Sequence, residues 1–115
     1  MRAEVRRVRF PDLRFDELFD PRNTLQLVEV SVGVVGEPGE DQYQMTACTP
    51  AALADLLVRQ PFQVGRHWLF VAEFSPALVE AALRKLIGNV EETSRAELAE
   101  KIGRIGLWEF EDYRD

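Results

Sequence analysis

The strand that decides the fold reads LQLVEVSVGVV and covers residues 25–35. Every second residue in its centre is a valine, and these valines face the same side of an extended chain: Val28, Val30, Val32 and Val34. Residues 36–40 (GEPGE) have the composition of a turn, and residues 42–48 return with the same alternation. The sequence therefore predicts an antiparallel hairpin with one buried face.

A further strand is predicted over residues 2–10, with an irregularity in its middle. The apolar residues before and after the pair Arg6-Arg7 fall on opposite faces, so we expect a β-bulge at the two arginines. Pro11 ends this strand because proline cannot donate to a β-ladder. Residues 11–24 are irregular but carry large apolar side chains that we expect to pack against the body of the protein: Leu13, Phe15, Leu18 and Phe19.

Three helices follow the hairpin, each with a recognisable start. Thr49-Pro50 and Ser75-Pro76 place a capping residue before a proline, and residues 94–97 (SRAE) form a capping box. Gly88-Asn89 is expected to end the second helix in a left-handed conformation. Three apolar stripes should pack on the sheet: Leu53, Leu56 and Leu57; Val79, Leu83, Leu86 and Ile87; and Leu98, Ile102 and Ile105.

Residues 67–74 (HWLFVAEF) are apolar on nearly both faces of an extended chain, which is typical of a strand in the middle of a sheet. The predicted element order is β, loop, β-hairpin, α, β, α, α, β. We predict a single α+β domain over residues 1–115. It should be a two-layer sandwich in which three helices cover a mostly antiparallel sheet of about five strands.

The last stretch, GLWEFEDY at residues 106–113, carries the prediction about function. Trp108 and Phe110 lie on one side of an extended backbone, and their size favours burial, so this segment should dock as a strand. Its carboxylates would then be held in fixed positions: Glu109, Glu111 and Asp112. We therefore expect a structured acidic edge.

The net charge of −6 is unevenly distributed. Acids dominate residues 15–57 and 91–115, whereas residues 1–14 are basic. This pattern disfavours nucleic-acid binding and suits a basic protein partner. The amino-terminal arginines are expected to pair internally, with carboxylates of the last strand or of residues 15–20: Arg6, Arg7 and Arg9.

Several classes of protein are excluded by composition. No apolar run approaches the ~20 residues of a membrane span, so no membrane insertion is expected. The amino terminus lacks the apolar region of a signal peptide, which predicts a cytoplasmic location. With one cysteine, Cys48, and one histidine, His67, neither an internal disulfide nor the usual zinc site can form within one chain, and no cofactor is expected.

Three enzymatic or structural alternatives stay open. Cys48 and His67, with Asp41 or Asp112, could form the nucleophile and base of a small hydrolase, although a buried thiol and a surface imidazole explain them more simply. Glu109 could act with Glu111 on a sugar, but a solvated strand face accounts for both. A self-associating structural or adaptor module would need an apolar patch on the open face of the sheet. The oligomeric state is not predicted.

Four stretches resemble the immunity protein 8 family of bacterial polymorphic toxin systems, and the likeness runs over nearly the whole chain. They are Phe10-Pro11-Asp12-Leu13, the valine-rich strand with its glycine-containing turn, Ala47-Cys48-Thr49-Pro50, and residues 108–113 (WEFEDY). The resemblance implies a small cytoplasmic, non-enzymatic protein that binds and neutralises a cognate toxin domain.

Charge suggests how that binding would occur. Many toxin domains are basic nucleases, which an acidic inhibitor would match, so we expect an acidic contact surface and a basic toxin. Trp108 could anchor such a surface, since aromatic residues are enriched among interface hot spots. The predicted partner-binding residues are Glu37, Glu40, Asp41, Trp108, Glu109, Glu111 and Asp112.

Overall fold

The computed structural model describes residues 1–109, which form one mixed sheet of five strands and three helices. The strands are β1 (Ala3–Arg9), β2 (Leu25–Val34), β3 (Asp41–Cys48), β4 (Trp68–Phe70) and β5 (Leu107–Trp108). The helices are α1 (Pro50–Arg59), α2 (Pro76–Gly88) and α3 (Arg95–Ile102). The predicted α+β fold with a mostly antiparallel sheet is confirmed.

The sheet has the strand order β1-β2-β3-β4, and β5 also pairs with β3. All pairings are antiparallel except that of β3 with β4, which is parallel. The β1–β2 register shifts between Val5 and Arg7, so the predicted bulge at the arginine pair is confirmed. The hairpin of β2 and β3 is also as predicted, with Val30 opposite Tyr43.

The core lies between one face of the sheet and the helices α2 and α3. The alternating residues of β2 and β3 are buried there, as are Val79, Leu83 and Ile87 of α2 and Leu98 and Ile102 of α3. The opposite face of the sheet carries polar side chains, among them the exposed Arg7, Arg9 and Gln44. This burial on one face explains the strict alternation in the sequence of β2.

Two helix starts are confirmed and one works differently. The hydroxyl oxygens of Ser75 and Ser94 accept hydrogen bonds from the backbone N–H three residues later, as capping residues do. The hydroxyl of Thr49 is buried and does not cap α1; it accepts a hydrogen bond from the N–H of Thr24 at 3.0 Å and donates to the carbonyl of Thr24 at 3.2 Å. Thr49 thereby ties the start of α1 to the start of β2.

The left-handed ending predicted for α2 is wrong. Asn89, which follows the helix, has a φ of −93°, and the only glycines with positive φ among residues 1–109 are Gly36 and Gly39 in the hairpin turn. The chain continues from α2 without the sharp reversal that a left-handed residue would give, because the next segment runs beside β1. Val90 accepts a backbone hydrogen bond from Ala3 at 3.0 Å.

The central strand predicted over residues 67–74 is also wrong. Only Trp68–Phe70 pair, and in the described chain they pair with β3 alone, so β4 lies at an edge of the sheet. The chain then leaves the sheet, and Phe74 enters the core edge-on to the rings of Phe10 and Phe19. The apolar run is therefore divided between an edge strand and a buried loop.

Helix α1 and the early loop are less buried than predicted. In α1 only Ala52 is fully buried, and Leu57 and Val58 are exposed. In the loop, Leu13 and Phe19 pack against the core as expected, whereas Phe15 and Leu18 face the solvent. None of the helices in the described part of the chain is long and apolar enough to cross a membrane.

The bulge in β1 has a structural role that the sequence did not indicate. It places the guanidinium of Arg6 over Gly33, where a β-carbon would lie 2.3 Å from Cζ of the arginine. From this position Arg6 donates hydrogen bonds to the backbone carbonyls of Val34, Glu37 and Gly39 at 2.9, 2.6 and 2.9 Å. Arg6 thus holds the turn between β2 and β3, and we call these contacts the hairpin clamp.

Candidate functional site

The carboxylates of the hairpin and of the last strand meet at one end of the sheet. Because β5 pairs with the beginning of β3, Trp108 lies opposite Tyr43, and the backbone N–H of Glu109 donates to the carbonyl of Gln42 at 3.0 Å. The side chain of Glu109 accepts a hydrogen bond from the N–H of Gln42 at 3.0 Å. We call this region the acidic end; its members are Glu37, Glu40, Asp41 and Glu109. Glu111 and Asp112 lie outside the described residues.

Asp41 is a partly buried carboxyl of the acidic end whose pKa departs from its ordinary value. Burial raises its pKa above the ordinary value, and the neighbouring Glu109 raises it further. Arg95 and a hydrogen bond from the Trp108 side chain lower this pKa without cancelling the increase. Trp108 thus does two things at once: it packs against the core and contacts a carboxylate of the candidate site.

This raised pKa predicts that Asp41→Asn stabilises the protein at neutral pH. A carboxyl whose pKa is higher in the folded state stabilises the protein when the pH is below its unfolded pKa, and this stabilisation is lost as the pH rises through the folded pKa. At pH 7 the ionised carboxylate of Asp41 therefore lowers the free energy of unfolding. Since the site is partly solvated, we expect a gain below about 1 kcal/mol in the free energy of unfolding. Urea unfolding at several pH values will measure it.

The control for that experiment is Glu40→Gln, which removes a surface ion pair and should change stability by less than about 0.5 kcal/mol. The gain in the free energy of unfolding from Asp41→Asn should shrink towards pH 3. At that pH the wild-type carboxyl is protonated, so both proteins are neutral at this position. A gain that is the same at pH 3 and pH 7 would contradict the electrostatic explanation.

Glu37 and Glu40 are held by arginines of the same chain. Glu40 forms a 2.8 Å ion pair with Arg7, and Glu37 lies 3.7 Å from Arg95 at the start of α3. Arg9 pairs with Glu29 at 2.8 Å. The amino-terminal arginines do form contacts within the chain, but the predicted partners are wrong for the described residues. Those partners lie on the hairpin and on β2, and not on residues 15–20 or on residues 107–109.

A groove of about 720 Å³ on the open face of the sheet adjoins the acidic end. It is lined by Arg7, Arg9, Glu29, Gln42, Tyr43, Gln44, Leu107, Trp108 and Glu109. Most of these side chains are polar, so this part of the open face is not the apolar patch that self-association through it would need. Sequence reasoning missed the groove, although polar residues alternating on three paired strands were the available signal.

Tyr43 is a further member of the site that the sequence placed only in the core. Its side chain is almost fully buried, and this burial raises the pKa of the phenol. The negative charges of Asp41 and Glu109 raise the pKa further. The phenol therefore stays protonated beneath the carboxylates at all physiological pH values. Its position ties the acidic end directly to the packed core.

Cys48 and His67 are not arranged as a nucleophile and its base. The thiol of Cys48 is fully buried and donates to the carbonyl of Thr49 at 3.3 Å, and burial raises its pKa. The ring Nε2 of His67 donates to the carbonyl of Gly103 at 2.7 Å, which fixes the imidazole against the end of α3. No cluster of three potential metal ligands occurs within residues 1–109.

The chain matches a known protein family. A family model described as Immunity protein 8 matches residues 3–113. The match takes in all strands of the sheet, the three helices and the acidic end, and it confirms the resemblance seen in the sequence motifs. No curated protein and no solved structure matches the chain.

Proposed function

The chain belongs to the immunity protein 8 family, and we propose that it binds and neutralises a cognate toxin domain through its acidic end. Membership of this family makes it an immunity protein of a toxin system and suggests a non-enzymatic role. The binding surface and the chemistry of the toxin, which are the finer parts of the proposal, rest on the geometry and charge described above. Action in the cytoplasm of the producing cell rests on what membership of the family implies.

The observation that carries the proposal is the joining of two acidic segments that are far apart in sequence. Backbone pairing of β5 with β3 fixes Glu109 beside Asp41, and the hairpin clamp fixes the turn that carries Glu37 and Glu40. Carboxylates on a rigid support lose little entropy on binding and steer a basic partner towards one surface. Trp108 beside them provides an aromatic anchor.

The charge of this surface specifies the kind of toxin that fits. The four carboxylates of the acidic end are partly balanced by arginines: Arg7 and Arg95 approach the carboxylates, and Arg6 binds backbone carbonyls of the same turn. With four carboxylates against these three arginines, the described part of this surface keeps a small negative excess. A toxin that acts on nucleic acid needs cationic side chains to bind phosphates. A basic nuclease domain is therefore the class of toxin we propose, with the acidic end occupying or bordering its phosphate-binding surface.

No observation favours the two alternative functions. A hydrolase would need Cys48 to be accessible and ionisable, whereas it is buried with a raised pKa. A module that self-associates through the open face of the sheet would need apolar residues there, whereas the groove on that face is lined mainly by polar side chains.

The proposal is tested by co-expressing the protein with the toxin domain encoded beside its gene. We expect cells to survive only when both are produced, and the purified partners to form a stoichiometric complex in light scattering and calorimetry. A toxin of the same general class from an unrelated system serves as the control and should remain lethal. Cell death despite full expression of the folded protein, or the absence of a complex, would refute the proposed function.

A further inference from the structure

Exposed apolar side chains concentrate between the end of α1 and β4. Val58 is 86% exposed at the end of α1, and Phe62, in the segment that leads to β4, is 71% exposed. Together with the neighbouring exposed residues these form what we call the apolar edge: Leu57, Val58, Phe62, Val64 and Phe70. The ring of Phe70 lies next to Gly65, which brings β4 beside the segment that carries Phe62 and Val64. Several large exposed apolar side chains in one short stretch of chain favour an interaction surface.

The apolar edge differs in charge from the rest of the chain. Residues 56–72 contain no aspartate or glutamate, although the net charge of the whole chain is −6. Arg59, at the end of α1, is exposed beside Val58. The chemistry that fits this surface is therefore a segment that presents apolar side chains together with carboxylates.

The early loop of the same chain has that chemistry. Leu18 is 87% exposed and Phe15 is also exposed, and both stand among the carboxylates of residues 16, 17 and 20. The loop has a defined shape, since the carboxylate of Asp16 accepts a hydrogen bond from the N–H of Leu18 at 2.9 Å and the ring of Phe15 lies edge-on to that of Phe19. It is thus an ordered acidic and apolar surface.

The loop and the apolar edge lie at the same end of the sheet without covering each other. The residues that follow the loop border α1: the side-chain amide of Asn23 donates to the carboxylate of Asp55 at 3.0 Å, and Thr24 bonds to Thr49. Yet both surfaces stay exposed in the single chain. We propose that two copies of this chain form a symmetric dimer in which residues 15–20 of each copy cover the apolar edge of the other.

A two-fold axis near α1 would generate both contacts at once. The loop of each copy then covers the apolar edge of the other copy. Such an interface closes on itself and leaves no complementary surface free to extend into a fibre. It matches apolar to apolar and acidic to basic surface on both sides. It also leaves the acidic end, at the far end of β3, available for a different partner.

The dimer is tested by light scattering and sedimentation equilibrium over about a hundredfold range of protein concentration. We expect wild type to reach twice the chain mass of 13.2 kDa, and Val58→Asp with Phe62→Asp to remain monomeric or to associate at least about thirtyfold more weakly. Leu78→Asp with Leu86→Asp, which changes two exposed leucines of α2, is the matched control and should dimerise like wild type. A monomeric wild type, or a dimer unaffected by the first variant, overturns the proposal.

A charge exchange tests which surfaces meet. Glu17→Arg and Arg59→Glu should each weaken self-association, and an equimolar mixture of the two variants should recover it, because each then supplies the sign that the other lacks. A mixture no better than either variant alone overturns the loop-on-edge arrangement. Toxin binding is measured in parallel: loss of toxin binding by the Val58→Asp/Phe62→Asp variant of a monomeric wild type would assign the apolar edge to the toxin instead.

Discussion

Neutralising the acidic end is expected to slow association with the cognate toxin domain by about tenfold or more at low ionic strength. The variant combines Glu37→Gln, Glu40→Gln, Asp41→Asn and Glu109→Gln. Association of a basic toxin is accelerated by attraction to fixed carboxylates, and this variant removes that attraction while keeping the shape of the side chains. Stopped-flow or surface-based kinetics at several salt concentrations will measure the association rate and its dependence on salt.

A matched control separates local charge from total charge. Asp12→Asn, Asp55→Asn, Glu73→Gln and Glu80→Gln also remove four negative charges, so both variants change the net charge from −6 to −2 (−6 + 4 = −2), but the control residues lie away from the hairpin. The control should keep most of the wild-type association rate. Equal slowing in the two variants, or association of the wild type that is independent of salt, would show that the acidic end is not the docking surface.

The substitution with the largest expected effect on stability is Leu83→Ala, which should lower the free energy of unfolding by about 3 kcal/mol. Leu83 is fully buried in α2, so truncating it leaves a cavity as well as removing apolar contact. Helix α2 packs against β1, and Arg84 of the same helix donates to the carbonyl of Val5 at 2.7 Å. Urea and thermal unfolding will measure the loss, expected to be about 12 °C in Tm.

Leu86→Ala is the control on the same helix, because Leu86 is 46% exposed. It should cost less than about 1 kcal/mol, since it leaves no buried cavity. Toxin affinity measured well below the transition temperature should be unchanged in both variants, as neither residue belongs to the acidic end. Similar losses of stability for the two leucines would contradict the placement of Leu83 in the core.

The hairpin was predictable because its signal is local. One buried face imposes a period of two, which Val28, Val30 and Val32 show directly, and the bulge of β1 appears as a slip in the same period. The site was predictable only in parts. Asp41 and Glu109 were both predicted as candidates, but their proximity depends on the pairing of β5 with β3, a long-range register that no neighbouring residue indicates.

Three other features could not be predicted from the sequence, each for a different physical reason. An apolar run such as residues 67–74 has the same sequence pattern in two different structures. It can form a central strand of a sheet, or it can be divided, as here, between an edge strand and a loop in the core. The partners of Arg6 are backbone carbonyls, which every residue has, so no side chain indicates them. Thr49 was expected to cap its own helix, but its hydroxyl instead bonds to the backbone of Thr24, which lies just before β2 and is distant in sequence.

The hairpin clamp holds the turn through its backbone and leaves the glutamate side chains of the turn at least partly exposed to solvent. Arg6 binds main-chain oxygens only, so the three hydrogen bonds of the clamp do not depend on which side chains are present at Glu37 or Glu40. These positions can therefore change during evolution while the loop keeps its form. If the acidic end contacts the toxin as we propose, the inhibitor can follow a change in the toxin surface by substitutions in this turn, without a change in the core beneath it.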